Sequence, residues 1–156
     1  MPELEIRPYE ARHLRATTRL WLDSFLSAGL STGKDTPFEH LLERVERETV
    51  LVWEAWLAWE ENRLAGFLAL KVPETCLDQI FIAPDAKGAG RGTRLLDFAK
   101  SRMPGGFWLR AAADNTVARR FYEKHGMTAG PLEPHPALGH LTVVYRWPAD
   151  VTQSRD

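Results

Sequence analysis

The sequence lacks several features that mark specialised classes of protein. Its 156 residues include one cysteine, Cys76, so no disulfide can form within the chain. A reducing, cytoplasmic location is therefore expected. No apolar run approaches the roughly 20 residues that a membrane-spanning helix requires. The first residues also lack the basic and apolar parts of a signal peptide. These absences argue against a secreted or membrane protein.

An excess of charge of one sign is also missing. With 20 basic and 21 acidic residues the formal net charge is -1, whereas proteins dedicated to nucleic-acid binding usually carry a basic face. No cluster of histidine, cysteine or carboxylate has metal-ligand spacing, so no metal is expected. The length fits one domain, expected at residues 1–150, followed by a flexible C-terminal tail at 151–156.

Hydrophobic periodicity predicts a mixed α/β (α+β) fold. Strands are expected at residues 4–7, 56–60, 64–72, 77–83, 107–111 and 140–147, and helices at 11–28, 36–48, from about 90 to 102, and 115–125. Thr36, Pro37 and Glu39 form a capping box, with Thr36 as N-cap and Pro37 at the first helical position. Residues 131–136 are expected to form a proline-rich loop, with room for a short extra strand near Thr128.

Tryptophan recurs at Trp53, Trp56 and Trp59, three residues apart. This spacing could make an aromatic binding stripe. Packing across a helix end and the following strand is the better interpretation, because large aromatic side chains dominate protein cores.

Three glycines alternate between a predicted strand and a predicted helix. The run is Lys87-Gly88-Ala89-Gly90-Arg91-Gly92. Glycine lets successive backbone N–H groups turn inward, and a helix N-terminus adds unpaired N–H groups and the positive end of a dipole. The basic side chains of Lys87, Arg91 and Arg94 add positive charge. The run is therefore typical of a site for a pyrophosphate.

Two familiar phosphate-binding loops do not fit this run. A Walker A loop needs lysine followed by serine or threonine, whereas Gly92 is followed by Thr93 and Arg94. The dinucleotide fingerprint needs a glycine at the position that Thr93 occupies. On this run alone, a tight turn without any ligand stays open as well.

A second motif follows about 25 residues later. It reads Asn115-Thr116-Val117-Ala118-Arg119-Arg120-Phe121-Tyr122-Glu123-Lys124-His125-Gly126-Met127. Its pattern, in which Asn and Ala precede Phe-Tyr-Glu-Lys and then Gly, resembles a motif of the GNAT N-acetyltransferase superfamily. The segment from Ile80 to Leu96 resembles that family's acetyl-CoA-binding motif. Departures from the family pattern are Ala86, Lys87 and Met127.

The resemblance implies a fold and a cofactor, acetyl-CoA. The fold would be a mixed, largely antiparallel sheet of six to seven strands with about four helices on both faces. The strands at 77–83 and 107–111 would splay apart around the pantetheine arm, which would pair with the backbone of Ile80, Phe81 and Ile82. The pyrophosphate would be held by Lys87, Gly88, Ala89, Gly90, Arg91, Gly92 and Thr93. Asn115, Ala118 and Tyr122 would flank the arm.

The resemblance also implies direct attack of a neutral amine on the thioester. Tyr122 matches the family position that protonates the leaving thiolate, since a phenol with a pKa of about 10 keeps its proton at neutral pH. For the general base, Asp78 is the first candidate, with Glu74 and His140 as alternatives. Cys76 is interpreted as a buried apolar residue and not as a nucleophile.

The acceptor is the open question at this point. Loops at residues 29–36 and 131–140 would shape its site, and neither has a pattern that names a substrate. The expected acceptor is a primary amine of a small molecule, peptide or protein. Transfer of a longer acyl group, a catalytically idle acyl-CoA-binding sensor and an unrelated phosphate-binding module remain alternatives. Neither nucleic acid nor membrane is an expected partner. A homodimer is compatible with the family, although the sequence defines no interface.

Overall fold

Seven strands and four α-helices make up the part of the chain that the computed structural model describes, residues 3–28, 37–86, 88 and 90–148. In chain order they are β1 (Leu4–Pro8), α1 (Leu14–Ala28), α2 (Phe38–Leu51), β2 (Glu54–Glu60), β3 (Arg63–Lys71), β4 (Cys76–Ile82), α3 (Arg91–Arg102), β5 (Phe107–Ala112), α4 (Thr116–Lys124), β6 (Thr128–Pro134) and β7 (Leu141–Trp147). Short 3-10 turns precede α1 and flank β4. The predicted fold class is confirmed.

The seven strands form one sheet in the order β1-β2-β3-β4-β5-β7-β6. All neighbouring pairs are antiparallel except β4 and β5, which are parallel. That parallel pair has a single register position, Cys76 opposite Trp108, whereas β5 and β7 pair along their whole length. The sheet is therefore continuous at every junction but one.

Helices α1 and α3 cover opposite faces of the sheet. Trp21 of α1 stacks on Phe67 of β3, with ring centroids 6.3 Å apart. Leu95 of α3 approaches Gly66, the preceding residue of the same strand, so closely that a Cβ on Gly66 would lie 2.9 Å from its Cδ1. Successive strand residues point to opposite faces. The two helices thus bury both faces of the central strands.

The tryptophans at residues 53, 56 and 59 pack against other parts of the chain. Trp53 is buried between Trp21 and Phe67. Trp56 contacts Phe98 of α3, with ring centroids 4.7 Å apart. These contacts agree with the packing interpretation and leave no continuous aromatic stripe.

Two predicted elements differ in the structure. Helix α2 begins at Phe38 with Pro37 as its N-cap residue, so Pro37 is not the first helical residue, and the helix continues to Leu51. Residues 131–134 belong to strand β6 and not to a loop. Pro131 is tolerated because β6 is an edge strand with a register shift between Ala129 and Leu132, and an edge strand leaves one side of its backbone unpaired.

Several sequence-based predictions lie outside the described residues. They concern Thr36 as an N-cap, the loop at residues 29–36, the side chains of Lys87 and Ala89, and the tail at 151–156.

Candidate active site

Strands β4 and β5 meet at one end and separate toward the other. At the joined end, the Trp108 N–H donates to the Thr75 carbonyl over 3.0 Å, next to the Cys76–Trp108 pair. Beyond that point a cavity of about 450 Å³ opens between the strands. Its walls are β4, β5, parts of α1, α2 and α4, and residues 135–140. Among the described strands, the β4–β5 junction is the one where the ladder is reduced to a single pair, and the cavity lies at that interruption of the sheet.

The free edge of β4 faces this opening with alternate backbone groups. The Ala83 N–H donates to the Ala65 carbonyl over 2.9 Å. In an antiparallel pair, residues two apart direct their N–H and C=O to the same neighbour. Phe81 therefore points its backbone groups at β3, whereas Ile80 and Ile82 point theirs away from β3. The Ile82 carbonyl already accepts a hydrogen bond from Ser24 Oγ over 3.0 Å.

The glycine-rich turn leads directly into α3. Gly88 and Gly90 have φ of 90° and 79°, a left-handed conformation that favours glycine, and Gly90 is the N-cap of α3. At Gly92 the reason for glycine is space, since a Cβ there would lie 3.2 Å from Phe121 Cζ. Gly88 and Gly90 thus add no side chains in front of the N-terminal N–H groups of α3.

The basic side chains beside this turn form structural contacts. Arg91 Nε donates to Glu60 Oε2 over 2.5 Å, and its Nη1 donates to the Ala86 carbonyl over 2.6 Å. Arg94 Nη2 donates to the Leu4 carbonyl over 3.2 Å. The charge of Arg91 is thus balanced by a carboxylate, whereas Arg94 bonds to a neutral carbonyl and keeps its positive charge. Backbone N–H groups at the start of α3 add to the capacity of the turn for anions.

Thr93 pairs with a histidine of the second motif. Its Oγ1 lies 2.9 Å from His125 Nε2, and His125 Nδ1 lies 2.7 Å from the Phe121 carbonyl. A carbonyl can only accept, so Nδ1 carries a proton and a neutral His125 accepts from the Thr93 hydroxyl. This contact and the Gly92–Phe121 approach join the two sequence motifs in space.

Helix α4 places three predicted residues on the cavity wall. Asn115 is its N-cap, and Asn115 Oδ1 accepts from the Ala118 N–H over 3.1 Å. Asn115, Ala118 and Tyr122 all line the cavity. Tyr122 is 8% exposed, and burial raises the pKa of its phenol above the ordinary value of about 10. Tyr122 is therefore a proton donor and not a phenolate at neutral pH.

Asp78 lies on the opposite wall, on β4. Its Oδ2 accepts from Trp53 Nε1 over 2.7 Å and is 3.9 Å from Lys71 Nζ. Asp78 also lines the cavity. The indole N–H thus holds one oxygen of a carboxylate that lines the cavity.

The two histidines after β6 also line the cavity. Their rings are stacked with centroids 5.2 Å apart. His135 Nδ1 accepts from the N–H groups of Ala137 and Leu138, each over 3.0 Å, so the neutral ring carries its proton on Nε2. Burial lowers the pKa of His135, and the nearby His140, Arg110 and Arg44 lower it further. His135 is thus a neutral donor, whereas the buried Nδ1 of His140 has no hydrogen-bond partner among the residues that the structure describes.

Two other titratable candidates are unsuited to chemistry. Glu74 is exposed in the 3-10 turn before β4 and is not part of the cavity wall. Cys76 is buried, and burial together with the charge of Asp78 raises the pKa of its thiol to about 12. A thiol with that pKa is almost entirely protonated at neutral pH, so Cys76 is a poor nucleophile.

Sequence reasoning missed two arginines of the cavity wall. Arg44 projects from α2 and Arg110 from β5. Neither belongs to a motif, and an arginine within an amphipathic helix is usually part of a solvated face. Only the folded arrangement identifies them.

Within the described ranges, no three His, Cys, Asp or Glu side chains gather into a group that could hold a metal ion. Of the helices in those ranges, none combines the length and apolar character that crossing a bilayer would take.

The model of the acetyltransferase (GNAT) family matches residues 11–127. The chain belongs to this family. The match includes the glycine-rich turn, the splayed strands and the motif on α4, so the resemblance inferred from the two motifs is confirmed. No curated protein sequence matches the chain.

Solved structures of other bacterial proteins share the fold. A GCN5-related N-acetyltransferase from Rhodopseudomonas palustris is 20% identical, with a TM-score of 0.73 over 94% of each chain. The apo-form of YjaB from Escherichia coli is 22% identical, with a TM-score of 0.72 over 92% of this chain and 95% of the other. YncA from Salmonella typhimurium, solved with acetyl-CoA, is 15% identical, with a TM-score of 0.66 over 92% and 91%.

Proposed function

We propose that this protein is an N-acetyltransferase that moves an acetyl group from acetyl-CoA to a primary amine by direct attack. The acceptor belongs to a small molecule, a peptide or a protein. One observation carries the proposal: a buried tyrosine and a carboxylate, Tyr122 and Asp78, face one cavity between strands that separate beside a glycine-rich helix N-terminus.

The residues of the cleft fit acetyl-CoA. Left-handed Gly88 and Gly90 leave room at the start of α3 for a pyrophosphate, which unpaired backbone N–H groups would hold. The backbone of Ile80 and Ile82 would pair with the pantetheine amides, and the ring of Phe81 would flank them. Residues Lys87, Ala89, Arg91 and Thr93 would contribute main-chain groups to the same turn. The bound cofactor supplies the activated acetyl group.

Tyr122 would donate a proton to the departing sulfur. A thiol has a pKa of about 8.5, so the thiolate needs a donor that is protonated at the same pH. Because burial raises the pKa of Tyr122, the phenol keeps its proton throughout the neutral and mildly alkaline range. Transfer of the phenol proton to the departing sulfur would leave Tyr122 as a phenolate, which would regain a proton from solvent after CoA is released.

Asp78 would take the proton from the attacking amine, directly or through water. An alkylamine has a pKa of about 10.4 and is mostly charged at neutral pH, so it must lose a proton before attack. The carboxylate both attracts the ammonium group and accepts its proton. His135 cannot share this role, because its Nδ1 lone pair is engaged by two N–H groups.

The test is thiol release from acetyl-CoA in the presence of a panel of primary amines, followed by identification of the acetylated product by mass spectrometry. We expect amine-dependent release of CoA and an acetamide product. If the protein binds acetyl-CoA but no amine causes release of CoA, the proposal is contradicted and the sensor alternative is supported. Faster CoA release from a longer acyl-CoA than from acetyl-CoA would change the identity of the acyl donor but not the type of reaction.

Replacing Tyr122 by phenylalanine tests the proton donor. We expect Tyr122→Phe to lower kcat by about 10²- to 10⁴-fold with little change in the KM for acetyl-CoA, because general acid catalysis contributes about that factor. The matched control is Tyr145→Phe. Tyr145 lies 5.6 Å from Tyr122, ring to ring, but bonds to Glu123 and Arg119 outside the cavity.

Tyr145→Phe should keep kcat within about threefold, even if the loss of two hydrogen bonds costs stability. Equal losses of kcat in the two variants, or an unchanged kcat in Tyr122→Phe, would remove Tyr122 from the mechanism.

A further inference from the structure

One cationic side chain of the cavity wall has no acidic partner among the described residues. Arg44 of α2 lines the cavity, and its Cζ lies 5.1 Å from the centroid of the Trp21 ring. Trp21 is 1% exposed, so the ring is a fixed support. The acidic residues at both ends of α2 are engaged elsewhere, Glu39 with Arg15 and Glu48 with Arg47.

The other charged groups of the cavity wall are paired. Arg110 Nη1 lies 3.0 Å from Glu133 Oε1 and donates to Thr142 Oγ1 over 2.9 Å. Asp78 lies 3.9 Å from Lys71 Nζ. Arg44 is thus the unbalanced charge of the described part of the wall, and the cavity carries a net positive field there.

His135 lies on the same wall of the cavity and is close enough to feel these charges. Its pKa is lowered by burial and then by His140, Arg110 and Arg44, whereas Asp78 alone acts in the opposite direction. Its neutral ring carries the proton on Nε2, which makes it a hydrogen-bond donor. This side of the cavity therefore offers positive charge and N–H donors.

We propose that Arg44 binds the carboxylate of the acceptor, so that the acceptor is an amine that also carries a carboxylate, such as an amino acid. The inference rests on the proposed acetyl transfer at this cavity. Contact with the indole face occupies none of the guanidinium N–H groups in a hydrogen bond. With no hydrogen bond to another described residue, these groups suit the two parallel bonds that arginine forms with a carboxylate.

The two signs of charge in one cavity fit a zwitterion. Asp78 would receive the ammonium group of the acceptor, and Arg44 would receive its carboxylate. A polyamine would leave Arg44 facing a like charge, and an amine without an anionic group would leave the guanidinium without a partner. Selection would thus combine attraction for one class of acceptor with rejection of another.

The test is calorimetric titration of the protein saturated with CoA, using L-amino acids and the amide of each as probes. The amide keeps the amine and the side chain and removes the negative charge. We expect at least one amino acid to bind at least about tenfold more tightly than its amide, as a charge-assisted pair should. Arg44→Gln should bring that ratio to about one.

The matched control is Arg47→Gln on the same helix. Arg47 pairs with Glu48 and does not line the cavity, so the variant removes the same charge and should keep the preference. Circular dichroism of all variants checks folding. An unchanged preference in Arg44→Gln, or no preference in the original protein, would overturn the inference.

Thiol release measured on the same samples separates this result from the proposed reaction. Carboxylate-selective binding without CoA release would contradict acetyl transfer and keep the Arg44 site. CoA release that is equally fast with amines that carry a carboxylate and with amines that lack one would support acetyl transfer and contradict the Arg44 site.

Discussion

At the scale of single residues, the environment of each titratable group decides its role. Tyr122 and Asp78 face the same cavity. Burial keeps the phenol of Tyr122 protonated, and the carboxylate of Asp78 accepts a hydrogen bond from the indole N–H of Trp53. One group can therefore give a proton and the other can accept one. Sequence motifs predicted Tyr122, but the partner of Asp78 follows only from folding.

Cys76 supplies a prediction at this scale. Its folded pKa of about 12 exceeds the ordinary value of about 8.5, so at pH 8 the thiolate fraction is about 10⁻⁴ instead of about a quarter. Iodoacetamide at pH 8 should therefore leave Cys76 unmodified over a time that fully alkylates glutathione. Intact-mass spectrometry checks this, and denatured protein serves as the reactive control. Rapid alkylation of the folded protein would revive a cysteine nucleophile.

At the scale of elements, some of the structure follows from local sequence rules, and the rest depends on the position of a strand in the sheet or on contacts between distant segments. The glycine turn, α3 and α4 follow from local rules, because left-handed glycines and an asparagine N-cap act within a few residues. Strand β6 does not follow from local rules, because Pro131 indicates a loop unless the strand lies at the edge of the sheet. Arg91 bonds to Glu60 and Arg94 bonds to the Leu4 carbonyl, and both partners are distant in the sequence. A local sequence pattern does not encode such contacts.

Gly90 tests the turn as an element. Its φ of 79° is costly for any residue with a Cβ, although the space around it is open. Gly90→Ala should lower the free energy of unfolding by about 1–2 kcal/mol and raise the KM for acetyl-CoA. Gly105→Ala is the control, because Gly105 also has open space but no positive φ. Urea unfolding of both variants measures the difference, and equal stabilities would contradict the strained turn.

At the scale of the whole molecule, the site exists because the sheet is interrupted. Among the described strands, five of the six junctions have ladders of several pairs, and the β4–β5 junction has a single register pair. Helices α1 and α3 pack on opposite faces of the sheet and contact β3 and β4 beside the gap. No periodicity within one strand predicts such a gap, since the separation is a relation between strands. The family resemblance predicted that β4 and β5 separate, and their single register pair shows where the separation begins.

The most direct measurement of the central claim is a crystal structure of the protein with CoA. We predict the pyrophosphate at the N-terminal N–H groups of α3, the pantetheine along Ile80 and Ile82, and the CoA sulfur within hydrogen-bond distance of the Tyr122 hydroxyl. A CoA molecule bound outside the β4–β5 gap, or a sulfur remote from Tyr122, would contradict the account.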